Sequence, residues 1–319
     1  MKHKLPVFTV LLLIFLAAQV IGLLVIRSYI DAAATEKATQ EAGRPVTVYK
    51  ELPLGIERPD VEPASSYLFM AAAVIIGTLL LLLLIRFNKG ALWKVWFLLA
   101  MVMTLTVAFT AFIPALLAAL LAVIIALFRV FRPNIVAHNF GELFVYGGLA
   151  AIFVPVMNLK SAAILLIIIA VYDVFAVFQS KHMISLARFQ SANRIFAGLM
   201  IPKELSMKTA FSQVNAATST APAKNKPAKS QKNRTRGQED EYADSGSYAV
   251  IGGGDIGFPL LFAGAALSAF GFYKVLVIPV AATLALGVLL LIGKRGKFYP
   301  AMPFVAAGCF VGYGIASMF

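Results

Sequence analysis

Nine apolar runs, separated by short and mostly basic loops, constrain this chain more than any other feature. They span residues 5–25, 67–85, 95–112, 115–130, 135–157, 162–178, 248–272, 275–292 and 298–319. A helix needs about 20 apolar residues to cross a bilayer, and these runs approach or exceed that. In hydrocarbon each backbone N–H and C=O must be bonded within the segment, so such runs fold as helices. The sequence therefore predicts an all-α polytopic membrane protein with nine transmembrane helices. Composition agrees: 60% of the 319 residues are hydrophobic and 13% are charged, where a soluble domain has about 25% charged.

The net charge of +13 does not point to nucleic acid, because the bases sit mainly in loops between apolar runs. Crossing the membrane nine times from a cytoplasmic N-terminus places 21 Lys/Arg on the cytoplasmic side and seven outside. That is the positive-inside bias, and the short loops alone keep it. The C-terminus then lies outside. Residues 1–4 resemble the start of a signal peptide. The following apolar run exceeds the 7–15 residues of a signal h-region, so it reads as a retained span. Cys309 is the only cysteine, which leaves no intramolecular disulfide. It falls inside the last apolar run and should be buried there. His3, His138 and His182 lie near span ends and match no metal-ligand spacing. No metal or other cofactor is expected.

Two segments are polar. Residues 28–65 hold seven acids against four bases and read as an external loop. Residues 181–247 form a basic cytoplasmic linker between the six-span half 1–180 and the three-span half 248–319. Residues 218–247 have the composition of a disordered segment. Residues 184–211 keep an apolar spacing suited to the membrane surface. The basic run 224–236 reads as a solvated tether, with anionic lipid the less favoured partner.

Only three acids fall within spans: Glu142, Asp173 and Asp255. Glu142 lies about two turns into its span, close enough to the surface to snorkel, which assigns it no role. The aspartates are different. An acid at the centre of a span costs about 2.5–3.5 kcal/mol on insertion scales, and no base remains in the spans to pair with either. Asp255 sits in Gly252-Gly253-Gly254-Asp255-Ile256-Gly257-Phe258-Pro259. Glycines weaken a helix, and Pro259 cannot bond the Asp255 carbonyl. The helix start there should be loose, with free backbone edges. Asp173 is about 12 Å from the cytoplasmic end of its span and Asp255 about 10 Å from the start of the next, taking both as helical. Two antiparallel neighbours thus bring two carboxyls to one depth. Without a nearby cation such a pair shares one proton. That is the state aspartyl proteolysis needs, with one Asp activating water and the other polarising the scissile carbonyl.

Tyr172-Asp173, Gly252-Gly253-Gly254-Asp255 and Pro300-Ala301-Met302, on the sixth, seventh and ninth runs, resemble the motifs of the presenilin and signal peptide peptidase family of aspartyl intramembrane proteases. The similarity covers the whole span pattern, and the short, simple chain is most similar to archaeal members. It implies a presenilin-like fold, Asp173 and Asp255 as the catalytic pair, and transmembrane helical peptides as substrates. It implies active-site shaping by Tyr172, Gly252, Gly254, Pro300, Ala301 and Met302. Met302 stands where the family usually has leucine, a change that keeps side-chain volume. The resemblance names no partner subunit and no oligomeric state.

Other readings fit parts of the pattern. A prepilin-type peptidase also uses Gly-x-Gly-Asp, but without the Pro-Ala-Leu element. A proton- or cation-coupled transporter or channel uses buried acids and broken helices, often in two corresponding halves. Only one such segment is present here. Taken singly, Tyr172-Asp173 fits a buried hydrogen-bonded pair, the glycines fit a helix-packing patch, and Pro300 fits a helix start.

Overall fold

The computed structural model describes residues 5–43, 45–87, 89–131, 134–178, 197–202, 248–293 and 299–319. The linker expectations for residues 218–247 and 224–236 lie outside these residues. The helices are α1 (Leu5–Ser28), α2 (Ala32–Ala42), α3 (Ser66–Arg86), α4 (Gly90–Thr110), α5 (Ala115–Phe131), α6 (Ile135–Phe153), α7 (Leu159–Phe178), α8 (Gly253–Val275), α9 (Val277–Ile292) and α10 (Met302–Ala316). Six of them, α1, α3, α4, α6, α7 and α8, are long and apolar enough to cross a membrane, and α5, α9 and α10 are shorter apolar helices.

α1 is the central post. Val7, Leu11, Phe15, Ala18, Leu23, Val25 and Ile26 are each at most 2% exposed. It packs against α6, α8 and α9. α3 is peripheral: Leu68, Ile75, Ile76, Leu79 and Leu83 all lie outward, the side a bilayer would cover. Where α9 meets α10, Gly308 and Gly312 let two backbones touch. A Cβ on Gly308 would lie 2.7 Å from the Ala281 carbonyl, and one on Gly312 2.7 Å from Ile278 Cα. Small residues at this four-residue spacing are how apolar helices approach closely without a hydrophobic drive. Cys309 is buried beside them, as its place in the last run implied.

The apolar runs mark the helices well, with three corrections. First, the seventh run does not begin as a helix. Tyr248–Gly252 is a strand, β2, paired antiparallel with β1 (Gly198–Pro202). Among the described residues the regular structure is therefore helical apart from one small sheet, and part of the segment expected on the membrane surface is a sheet strand. The helix starts only at Gly253 and breaks again at Gly271, whose φ of 72° is left-handed and suits glycine. Second, residues 28–65 are not a plain polar loop. Asp31 caps α2 by accepting from the Ala34 N–H at 3.0 Å, and Ile30 bridges Tyr49. Tyr29 donates to the Val107 carbonyl at 2.8 Å, and Tyr49, partly buried within this segment, has its pKa pushed up to about 12 by desolvation. Third, Glu142 does not snorkel and Arg129 does not mark a solvated loop. They are 2% and 3% exposed and form an ion pair between α6 and α5.

Candidate active site

α8 begins where β2 ends, so Asp255 occupies the first helical turn. The Gly252 backbone bonds the Asp255 carboxyl. Negative charge in a first turn is also favoured by the helix dipole. A Cβ on Gly252 would lie 3.3 Å from Asp255 Oδ2, and one on Gly253 would lie 2.8 Å from the Tyr146 hydroxyl. Gly252 thus leaves room beside the carboxyl, and Gly253 leaves room for the Tyr146 hydroxyl. Pro259 does not break α8, which continues through it. At the residue after Asp255, the buried Gln19 of α1 donates from Nε2 to the Ile256 carbonyl at 2.8 Å.

Asp173 lies on α7, one helix turn before its end, and is partly buried. Its Oδ2 accepts the Met302 N–H at 3.1 Å, and the Ala301 amide reaches the same carboxyl. Pro300 is buried and non-helical, and α10 starts immediately after Ala301. The Pro300-Ala301-Met302 turn therefore presents successive amides to Asp173. Asp173 and Asp255 lie within electrostatic reach of each other, on two helices in contact. Of the residues singled out from sequence, Asp173, Asp255, Gly252, Ala301 and Met302 come together here. Gly254 faces the Phe258 ring. Tyr172 is 41% exposed and has no hydrogen-bond partner among the described residues.

Two polar residues near Asp255, Gln19 and Tyr146, escaped sequence reasoning, and Glu142, expected to snorkel, joins them through Tyr146. Tyr146, on α6, packs its ring along Gly253 and Gly257 and donates its hydroxyl to Glu142. It is close enough to Asp255 to sense its charge. Glu142 in turn pairs with Arg129 and meets the Gly198 backbone of β1. The Arg129 guanidinium also donates to the His138 carbonyl at 3.1 Å and lies over the Phe97 ring. Tyr146→Phe should leave Glu142 without its hydroxyl donor and cost about 1–3 kcal/mol; thermal unfolding in detergent measures it. Among the described residues, no group of three or more His, Cys, Asp or Glu is placed to hold a metal ion. The groups this site brings together are two carboxyls and the backbone amides that reach them.

The fold of the whole chain is similar to that of solved presenilin-family structures. A presenilin family intramembrane aspartate protease in space group C222 superposes with a TM-score of 0.57, at 17% identity over 98% of each chain. Another structure with that description, in space group P2, superposes with a TM-score of 0.58 at 17% identity, covering 99% of this chain and 98% of that one. No curated protein sequence matches the chain. The sequence model of the family described as signal-peptide peptidase, presenilin aspartyl protease matches residues 47–319. That span takes in both aspartates and the Pro300-Ala301-Met302 turn, and with it the chain belongs to the signal peptide peptidase and presenilin family and is an intramembrane aspartyl protease.

Proposed function

We propose that Asp173 and Asp255 are the catalytic pair and that they cleave transmembrane peptides presented as an extended strand. One Asp takes a proton from water while the other, protonated, polarises the scissile carbonyl. The observation that supports this best is that the two carboxyls lie within electrostatic reach of each other beside a short sheet whose β2 edge is covered by no described residue. Met200 gives its N–H and C=O to Asn139, on the side away from β2. In an antiparallel ladder its partner Val250 then points its own N–H and C=O away from β1. No described residue takes them up, and the Val250 side chain is 47% exposed. An added strand on this edge would receive main-chain bonds directly before the Asp255 helix start. Gly252 and Gly254 keep the approach clear of side chains, and Tyr172 lines the outer wall of α7.

The test is incubation of purified protein with a single-span peptide, with products identified by mass. Cuts within the apolar span are expected, and N-methylation of alternate backbone amides around the cut should suppress them. Cleavage indifferent to N-methylation would reject the strand presentation. A transporter or channel would yield no products at all.

Pro300, Ala301 and Met302 act by aiming amides at Asp173. Pro300→Ala keeps the amide of Met302 but frees the backbone before it. It should reduce cleavage more than thermal stability. Equal losses would mark Pro300 as a plain helix start.

In the membrane, the six long and three short apolar helices make nine spans. The halves 1–180 and 248–319 each contribute one aspartate, joined by the cytoplasmic linker 181–247. The Lys/Arg bias supports this orientation, with residues 28–65 and the C-terminus outside. In a Cys309→Ala background, Thr47→Cys should react with a membrane-impermeant thiol reagent in intact cells. Ser230→Cys should react only after lysis. The reverse pattern would invert the protein.

A further inference from the structure

The polar face of α6 has a role that the dyad chemistry does not use. His138, Asn139, Glu142 and Tyr146 follow one another along the side of α6 that faces the sheet and the start of α8. Asn139 Nδ2 donates to the Met200 carbonyl at 2.7 Å, and its Oδ1 accepts the Met200 N–H at 2.9 Å. Two residues back in β1, the His138 ring nitrogen lies 2.6 Å from the Gly198 carbonyl, and Glu142 meets the Gly198 backbone. One turn on, Tyr146 touches Gly253. The helix thus stands in for a third strand on the β1 side.

We infer that Asn139 is a specificity-determining residue: by clamping β1 it fixes which bond of the substrate reaches the aspartates. This rests on the reading that substrate pairs with the open edge of β2. A two-stranded sheet is marginal by itself. Its buried face consists of Leu199 and Ile201 on β1 and Ala249 and Ile251 on β2. That alternation forbids a one-residue slide, which would turn the apolar side chains outward. It does not forbid a slide of about two residues, roughly 6.6 Å, which returns the same faces. The joint to Asp255 is Gly252, followed by the first two helical residues Gly253 and Gly254, with no side chain to stiffen it. Neither apolar burial nor the joint therefore sets the placement of the strands. Contacts from α6 do: His138 and Glu142 hold Gly198, and the two hydrogen bonds between Asn139 and Met200 fix the next residue of β1 on that edge.

Asn139→Leu keeps the volume and removes both bonds. With a single-span peptide and mass detection of products, wild type should cut mainly at one bond. The variant should spread cuts over bonds up to about two residues away, the strand repeat. Loss of fold alone would lower turnover and leave the product pattern unchanged. Asn139→Asp keeps the acceptor for Met200 N–H and loses the donor to its carbonyl, so it should give an intermediate spread. It also serves if the leucine variant does not fold. An unchanged cut pattern in the folded variants overturns the inference. The two readings fail separately: if alternate N-methylation suppresses wild-type cleavage and the variants still cut at one bond, only the role of Asn139 falls. If N-methylation has no effect, the strand-edge reading falls, and this inference falls with it.

Discussion

Asp255→Asn is expected to abolish cleavage of a single-span substrate while the protein stays folded, and Asp173→Asn is expected to do the same. Asparagine keeps the volume of the side chain and much of its hydrogen bonding. At position 173 its carbonyl oxygen can still accept the Met302 N–H that Asp173 accepts at 3.1 Å. What it cannot do is take or give a proton. Losing a positioned acid or base costs about 10²–10⁴ in rate, and here each residue is one half of a shared-proton pair, so little remains. Cleavage in detergent, scored by product mass, is the measurement. Near-normal cleavage by either variant would remove that aspartate from the mechanism. The same pair predicts a bell-shaped pH profile. With both carboxyls protonated there is no base to activate water. With both ionised there is no acid to polarise the carbonyl, and only the state with one shared proton is active. A rate that only rises with pH would argue against the pair.

Much of this site was visible in the sequence, because intramembrane acids are few and costly. Asp173 and Asp255 stand out in apolar runs without any alignment, and the Pro300-Ala301-Met302 turn stands out by its prolines. Helical rise counted from Tyr248 misplaces the depth of Asp255, because the chain is a strand up to Gly252. Five apolar residues next to a helical run carry no periodicity that separates strand from helix. The partner that makes them a strand, Gly198–Pro202, lies some fifty residues earlier in a polar segment. The same limit hid the polar network. Glu142 and Arg129 each sit near a span end, where single-sequence reasoning sends charges to the surface. Their pairing depends on α5 and α6 packing side by side, which no local pattern encodes. Gln19 left a weak signal, an amide within an apolar run, whose use by the Ile256 carbonyl only the fold reveals.

Glu142→Ala is expected to be the most damaging change to stability in the described helices. Glu142 and Arg129 are 2% and 3% exposed. Removing one partner of a buried ion pair costs about 3–5 kcal/mol, because the other charge stays buried without its counterion. Arg129 keeps the His138 carbonyl and the Phe97 ring, neither of which carries a negative charge. The Tyr146 hydroxyl loses its acceptor as well, and β1 loses its contact at Gly198. Glu142→Gln should cost less, since an amide oxygen can still accept from Tyr146 although the formal charge beside Arg129 is lost. The decisive comparison is the double variant Arg129→Met, Glu142→Met. If the pair is a self-contained charge balance, replacing both with apolar side chains of similar length should cost less than the sum of the single changes, and less than Glu142→Ala alone. Thermal unfolding in detergent gives the three values. Additive losses would show that Arg129 and Glu142 act independently, the one through α5 packing and the other through Tyr146 and β1. A stable double variant with weakened cleavage would separate the two roles of the network: its charge balance holds α5 to α6, and its Glu142 oxygens hold Tyr146 and the sheet in place beside Asp255.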